Sequence, residues 1–170
     1  NTLDHIKETC KEISKEKMGH VSGEYFEDYI HDMKIMQEFA EINRKVMNDL
    51  ICKAMDFEVE EPFTTIHNYI DIEHMILRKG AVSARKDEKL IIPMNMKDGS
   101  LICIGKGNDE WNQSAPHGAG RIMSRAKARH ELDLEEYKEI MKDIYSSCVS
   151  KETLDECPLA YKNMDEIIKH

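Results

Sequence analysis

The sequence has no long hydrophobic run, no pair of cysteines at metal or redox spacing, and no surplus of positive charge. Without the roughly eighteen successive apolar residues that a membrane-spanning helix requires, a helical membrane protein is excluded. Asn1 to Lys7 also lack the basic and then apolar order of a secretory signal, so the expected compartment is the cytoplasm. The five cysteines (Cys10, Cys52, Cys103, Cys148 and Cys157) are odd in number and contain no C-x-x-C. That removes a disulfide framework and a four-cysteine zinc site, and leaves reduced, mostly packed thiols. Internal repeats, low-complexity tracts and flexible linkers are missing as well. What remains, 170 residues with 41% apolar and 6% aromatic side chains, is the composition of one globular domain.

The 24 Lys and Arg against 33 Asp and Glu give a formal charge of -9, which argues against indiscriminate nucleic-acid binding. The charge is unevenly spread, because Arg78 to Arg129 hold eleven Lys and Arg against five Asp and Glu, a local +6 that leaves -15 for the rest. A basic middle between acidic flanks suggests a local site for a phosphate-bearing ligand.

From Glu24 to Ala54, apolar residues (Phe26, Ile30, Met33, Met36, Ala40, Met47, Leu50, Ile51, Ala54) recur at three- and four-residue steps, which predicts a long amphipathic helix. Ser22 and Gly23 serve as cap and lead-in turn, and the pattern stops at Asp56 to Pro62. Met33, Met36 and Met47 fall on the stripe, where flexible thioethers fill gaps in a core. Asn43 and Arg44 lie near it, either as a buried polar pair satisfied locally or as a pair pointing into a site. Phe63 to Ile66, Leu90 to Ile92 and Leu101 to Ile104 read as strands, with Lys97-Asp98-Gly99 turning the last two into a hairpin. Gly105 to Gly120 reads as a long loop, and helical spacing resumes at Arg121. Asp133 with Glu136, and Asn163 with Glu166, form capping-box patterns that open two further helices.

Ser114 to Arg125 is the segment richest in chemistry. Pro116, Gly118 and Gly120 let the backbone approach a ligand closely, and a helix starting at Arg121 aims unpaired amides and its positive end back at the loop. Arg121 and Arg125, four apart, are then expected on one face toward the same anion. His117 stands just before that helix, where dipole and arginines disfavour its protonated form and leave an imidazole able to attack phosphorus. A lone histidine in a turn more often bonds a carbonyl; the flanking Gly-x-Gly and two arginines tip the balance toward chemistry. His67 follows Phe63 to Ile66, with Asn68, Asp71, Glu73 and His74 close by, and is a candidate metal ligand beside acids that read equally well as solvated surface charge. Tyr161 could stack on a base, although such a tyrosine is more often a packing residue.

His117-Gly118-Ala119-Gly120-Arg121 with Met123-Ser124-Arg125, preceded by His67-Asn68 and by Arg78-Lys79-Gly80-Ala81, resembles the RtcB family of GTP-dependent RNA ligases. Tyr29 to Met33, Asn43-Arg44, Ile92 to Ser100 and Asp155 to Lys162 extend the resemblance to bacterial members over nearly the whole chain. It implies an enzyme of tRNA splicing and RNA repair that joins an RNA 3'-phosphate or 2',3'-cyclic phosphate to a 5'-hydroxyl, using GTP and manganese (Mn2+). By the same resemblance, His117 is the histidine that becomes guanylylated, His67 a manganese ligand, and Asn68 its neighbour in the GTP site. Pro93, Met94, Asn95, Met96 and Ser100 match the loop that holds GTP, with His117, Gly118, Ala119 and Gly120 closing over the phosphates and Tyr161 similar to a residue beside the guanine. Many members have Gly-Ser where this chain has Met94-Asn95, so that serine's hydrogen bonds must come from Asn95 or be absent.

The family's upstream half, with its further metal ligands, has no counterpart in these residues. The resemblance therefore implies residues 1–170 as the C-terminal portion of a single catalytic domain, which alone binds manganese poorly and does not ligate. The expected fold class is α+β, a mixed or antiparallel sheet around residues 63 to 104 flanked by helices. The expected partners are RNA with broken or spliced tRNA-like ends and, as for some members, an activating protein, with no membrane. Two other functions fit the same residues: a nucleic-acid 3'-end guanylyl capping enzyme, and a non-catalytic RNA-binding relic of the phosphate loop.

Overall fold

The computed structural model describes residues 21–169, so the readings at Asn1 to Lys7 and Cys10 lie outside the described residues. Among the described residues two compact units are present: residues 21–61 with Ile70–Met75, and Pro62–Tyr69 with residues 76–169.

The first unit is built on helix α1 (Glu24–Met55), whose boundaries follow the apolar spacing. Gly23 at φ 62 leads into it, and Asp56 in the left-handed region ends it, with the Phe57 N–H bonded to the Cys52 carbonyl at 2.9 Å. The Ile70 N–H donates to Gln37 Oε1 on this helix at 2.8 Å. The expected core role of the stripe is corrected, because no residue of α1 is buried, and Met36 and Met47 are 58% and 52% exposed. Periodicity defines an apolar face and is silent on what covers it. Asn43 is exposed, and Arg44 is half-buried with Nε and Nη2 enclosed without a hydrogen-bond partner, which corrects the locally satisfied polar pair.

The strands lie in the second unit, apart from Ile70 and Asp71 of the first strand, which belong to the first unit. Strands β1 (Asn68–Asp71) and β2 (Ile76–Lys79) form one two-stranded sheet, β3 (Ala81–Ser83) and β6 (Ser114–Pro116) a second, and β4 (Lys89–Asn95) and β5 (Gly99–Ile104) a third. The last two sheets are antiparallel. In the hairpin Leu90 pairs with Cys103, Ile92 with Leu101 and Pro93 with Ser100, and the register shifts between Pro93 and Asn95. The two-residue alternation sends Leu90, Ile92 and Met94 inward, where they pack with Val82, Ala84 and Ala119. Each such aliphatic side chain contributes about 1.5–3 kcal/mol on burial, so Leu90→Asp would break this core. A second cluster joins Tyr137, Met141, Leu154 and Cys157.

Helix α2 (Arg125–Glu131) starts at Ser124, whose Oγ accepts the Lys127 N–H, while α3 (Leu134–Met141) and α4 (Met164–Ile168) start at Asp133 and Asn163. Helices with small antiparallel sheets make the α+β class expected from sequence.

Three local expectations are corrected. Phe63 to Ile66 enter no ladder; Thr65 Oγ1 instead accepts the Ile91 N–H at 3.1 Å. Gly105 to Gly120 is not one long loop, since a 3-10 turn at Asp109–Trp111 leads to β6, and Trp111 stands 59% exposed. Helix formation begins at Arg125 rather than Arg121, because Ser124 is the capping residue and Arg121 forms an isolated β-bridge with Tyr161. Among the described residues no helix is long and apolar enough to cross a membrane.

Candidate functional site

Gly80 is the point on which two histidines converge. Its N–H donates to the His67 carbonyl at 2.9 Å and to Asn68 Oδ1 at 3.0 Å. Its own carbonyl accepts from His117 Nδ1 at 2.6 Å. A carbonyl has no proton to give, so Nδ1 carries the hydrogen and a neutral His117 ring keeps its lone pair on Nε2. The two imidazoles stack with centroids 5.3 Å apart and planes at 18°. A glycine is favoured at this point because φ is +69°, a left-handed conformation that L side chains rarely adopt; an added Cβ would itself stand at ordinary contact distance, 3.5 Å, from Cε1 and Nδ1 of His117.

β6 ends at Pro116 and delivers His117 to solvent, and its pairing with β3 (Ala81 opposite Pro116) sets the histidine beside Gly80. The residues that follow are tied to the hairpin: the Ala119 N–H donates to the Pro93 carbonyl at 3.1 Å, and Ala119 is 5% exposed. Gly120 accepts the Lys162 N–H at 3.0 Å. A cleft of about 610 Å³ opens beside this loop, lined by Asn95, Lys97, Asp98, Ile122, Tyr161 and Lys162 among others.

The hairpin residues divide by where their side chains go. Pro93 and Ser100 are exposed, whereas Met94 is 3% exposed in the core and can offer a ligand only its backbone. Asn95 Oδ1 accepts the Lys97 and Asp98 N–H groups, and its Nδ2 donates to Asp98 Oδ2 at 2.8 Å, so its polar atoms serve the turn. Met96 Sδ accepts from the Tyr137 hydroxyl at 2.9 Å, at the edge of the second core cluster.

The arginine reading is corrected. With α2 starting at Arg125, Arg121 lies outside the helix and the two arginines do not share a helix face. Arg121 donates to the Tyr161 hydroxyl at 3.0 Å and to the Asp155 carbonyl, and its Cζ lies 4.8 Å from the Tyr161 ring centroid. Arg125 bonds Asp155 Oδ2 at 2.6 Å and also Glu156, and Arg129 bonds Asp155 Oδ1 at 3.1 Å. These guanidinium bonds, first from Arg125 and then from Arg129, hold the buried Asp155 carboxyl below the usual carboxylate range. Tyr161, half-buried, also donates its hydroxyl to Glu156, so it packs as well as lines the cleft.

His67 offers one imidazole for a metal. Among the described residues, however, no group of three or more His, Cys, Asp or Glu side chains could hold an ion. The described residues do not by themselves complete a metal site.

Two contributors had no role assigned from the sequence. Gly80 was visible only within Arg78-Lys79-Gly80-Ala81, and a glycine between two short β-rich runs signals a close backbone approach. Asp155, which gathers the arginines, gave no signal, because its partners lie 26 and 30 positions away.

Comparison with known proteins then places the chain. The profile of the family described as "tRNA-splicing ligase RtcB" matches residues 7–170. An RNA-splicing ligase RtcB1 of Escherichia coli (strain ATCC 25922) is 37% identical over 163 residues, covering 85% of this chain and 40% of that protein. An RNA-splicing ligase RtcB of Escherichia coli K12 is 36% identical over the same length and coverage. The chain spans about 40% of the length of these curated relatives. With the family profile running from residue 7 to residue 170, this chain belongs to the RtcB family.

Proposed function

We propose that this chain carries the guanylyl-transfer site of a GTP- and manganese-dependent RNA ligase, which joins RNA 3'-phosphate or 2',3'-cyclic phosphate ends to 5'-hydroxyl ends. The observation that carries the proposal is the bond from His117 Nδ1 to the Gly80 carbonyl at 2.6 Å, which commits one ring nitrogen and leaves Nε2 as the nucleophile. The names of the relatives, both RNA-splicing ligases, support the reaction class.

In this reading Nε2 attacks the α-phosphorus of GTP, forming a P–N bond as the bond to pyrophosphate breaks. Nδ1 keeps its proton on the Gly80 carbonyl, which steadies the positive charge the ring gains. An oxygen of the RNA 3'-phosphate then attacks the same phosphorus and frees Nε2. The 5'-hydroxyl attacks the activated 3'-phosphorus last, losing its proton as GMP leaves; a 2',3'-cyclic end is first opened by water. The cleft beside Gly120 takes the guanosine, and Pro93, Asn95 and Ser100 with the backbone of Met94 and Met96 form one side of the nucleotide's path. Asn68 acts through Gly80. His67 supplies one ligand to manganese, with the others drawn from outside the described residues. Residues 1–170 form the C-terminal portion of one catalytic domain, working in the cytoplasm on tRNA-like ends, with an activating protein where the family member requires one.

The test is intact-mass measurement of the polypeptide as expressed from its gene, after incubation with GTP and manganese, beside His117→Ala. A gain of one GMP that the substitution removes is expected, together with a sealed strand from 3'-phosphate and 5'-hydroxyl RNA. GMP left on the RNA 3' end without sealing would indicate a capping enzyme. No adduct under any condition would leave only an RNA-binding role and overturn the proposal.

A further inference from the structure

The largest fully buried side chain of the described residues is a cation, Arg78 on β2, 2% exposed. Its Nε donates to Ser114 Oγ at 2.9 Å and its Nη1 to the Tyr69 hydroxyl at 2.9 Å. Nη2 reaches the carbonyls of Asn112 at 3.1 Å and Gln113 at 3.4 Å. Those two residues adopt positive φ, 50° and 47°, in succession and without being glycine. Backbone of this kind persists only where the surroundings over-determine it. The guanidinium supplies that determination, with Ser114 Oγ also donating to the Asn112 carbonyl at 2.8 Å.

The places that Arg78 ties together are set by the chain around it. Tyr69 lies two residues beyond His67, Ser114 three residues before His117, and Gly80 two residues beyond Arg78 itself. One buried fork on β2 therefore holds the strand leaving His67 and the strand arriving at His117, two residues before the glycine that bonds both. Planar guanidinium geometry suits several fixed acceptors at once, which a lysine ammonium cannot match.

We infer that Arg78 is a positioning residue, which fixes the approach of β6 to β2 so that the Gly80 carbonyl holds the His117 proton on Nδ1 and keeps Nε2 free. Its importance for catalysis rests on the function proposed above; its effect on the His117 ring does not. A simple packing role would lower stability without changing which nitrogen carries the proton.

The experiment records histidine-ring nitrogen and carbon NMR shifts of the polypeptide as expressed from its gene, assigning His117 with His117→Ala. Arg78→Met and Arg78→Lys are compared, with GMP-adduct formation timed on the same samples. The wild-type ring is expected in the Nδ1-protonated form. Arg78→Met is expected to raise the Nε2-protonated form and slow adduct formation at saturating GTP by at least about tenfold, while half-saturation by GTP moves less than about twofold. Arg78→Lys is expected to rescue neither fully. If Arg78→Met does not fold, the double variant Tyr69→Phe, Ser114→Ala removes two acceptors and leaves the carbonyl bonds. It is expected to shift both readouts in the same direction by a smaller amount. A folded variant with the wild-type tautomer and rate would overturn the inference. Absence of an adduct in the wild type would instead strike the proposed function, and the tautomer measurement would still decide the role of Arg78.

Discussion

Gly80 concentrates more of the candidate site than either histidine does. Its N–H is used by His67 and Asn68 and its carbonyl by His117 Nδ1, on a backbone at positive φ. Gly80→Ala places a Cβ at a φ of +69°, a strain of about 1–2 kcal/mol in the left-handed region, which relaxation of the backbone would relieve by moving the carbonyl that holds His117 Nδ1. The expected outcome is a roughly tenfold slower GMP-adduct formation with GTP affinity little changed, read by intact mass against time. Loss of GTP binding with an unchanged adduct rate would contradict it. The sequence singles out His117 by its flanking glycines, a local signal, and His67 by an expected strand at Phe63 to Ile66 that does not form. It could not carry the hydrogen bond from Nδ1, which spans 37 positions, nor the diversion of Asn95 into its own turn.

The elements divide by how local their causes are. α1, the β4–β5 hairpin and the caps at Asp133 and Asn163 follow from spacing, turn residues and side-chain acceptors within a few positions, and all were legible in the sequence. β3 and β6 are three residues each and pair across some thirty positions, too short to alternate visibly and too distant to be inferred. The start of α2 was misjudged because Gly-rich backbone before Ser124 carries apolar residues at helical spacing. Asp133→Ala is expected to cost about 1 kcal/mol by removing the acceptor of the Glu135 and Glu136 N–H groups, measured by urea unfolding.

The 3-10 segment Lys151–Glu156 is fastened to α2 chiefly by charge. Arg125 and Arg129 depress the Asp155 pKa, so the stability it contributes is present above the unfolded value of about 3.9 and is lost as pH falls through the lower folded value. Asp155→Asn should therefore melt at a lower temperature than wild type near neutral pH, and its melting temperature should fall less steeply on acidification below about pH 4. Parallel curves for the two proteins would rule this out.

At the scale of the molecule, the apolar stripe of α1 stands exposed and no three-ligand metal group forms among the described residues, while the chain spans 40% of its relatives' length. On the function proposed above, with His67 as one manganese ligand and the others outside the described residues, residues 1–170 alone are expected to bind manganese poorly and not to ligate, checked by a metal titration with a ligation assay; turnover would refute this. The overall class was legible, whereas the burial of α1 was not, because a periodic pattern names a face and leaves its neighbour unstated. The sole tryptophan of the sequence has a further use: Trp111 is 59% exposed and directly precedes Asn112 and Gln113, the two left-handed residues whose carbonyls Arg78 holds. Within residues 1–170 its fluorescence therefore comes from a single place, and a shift in emission or in acrylamide quenching of this polypeptide on adding nucleotide would report motion of the strand that leads to His117, with no label attached.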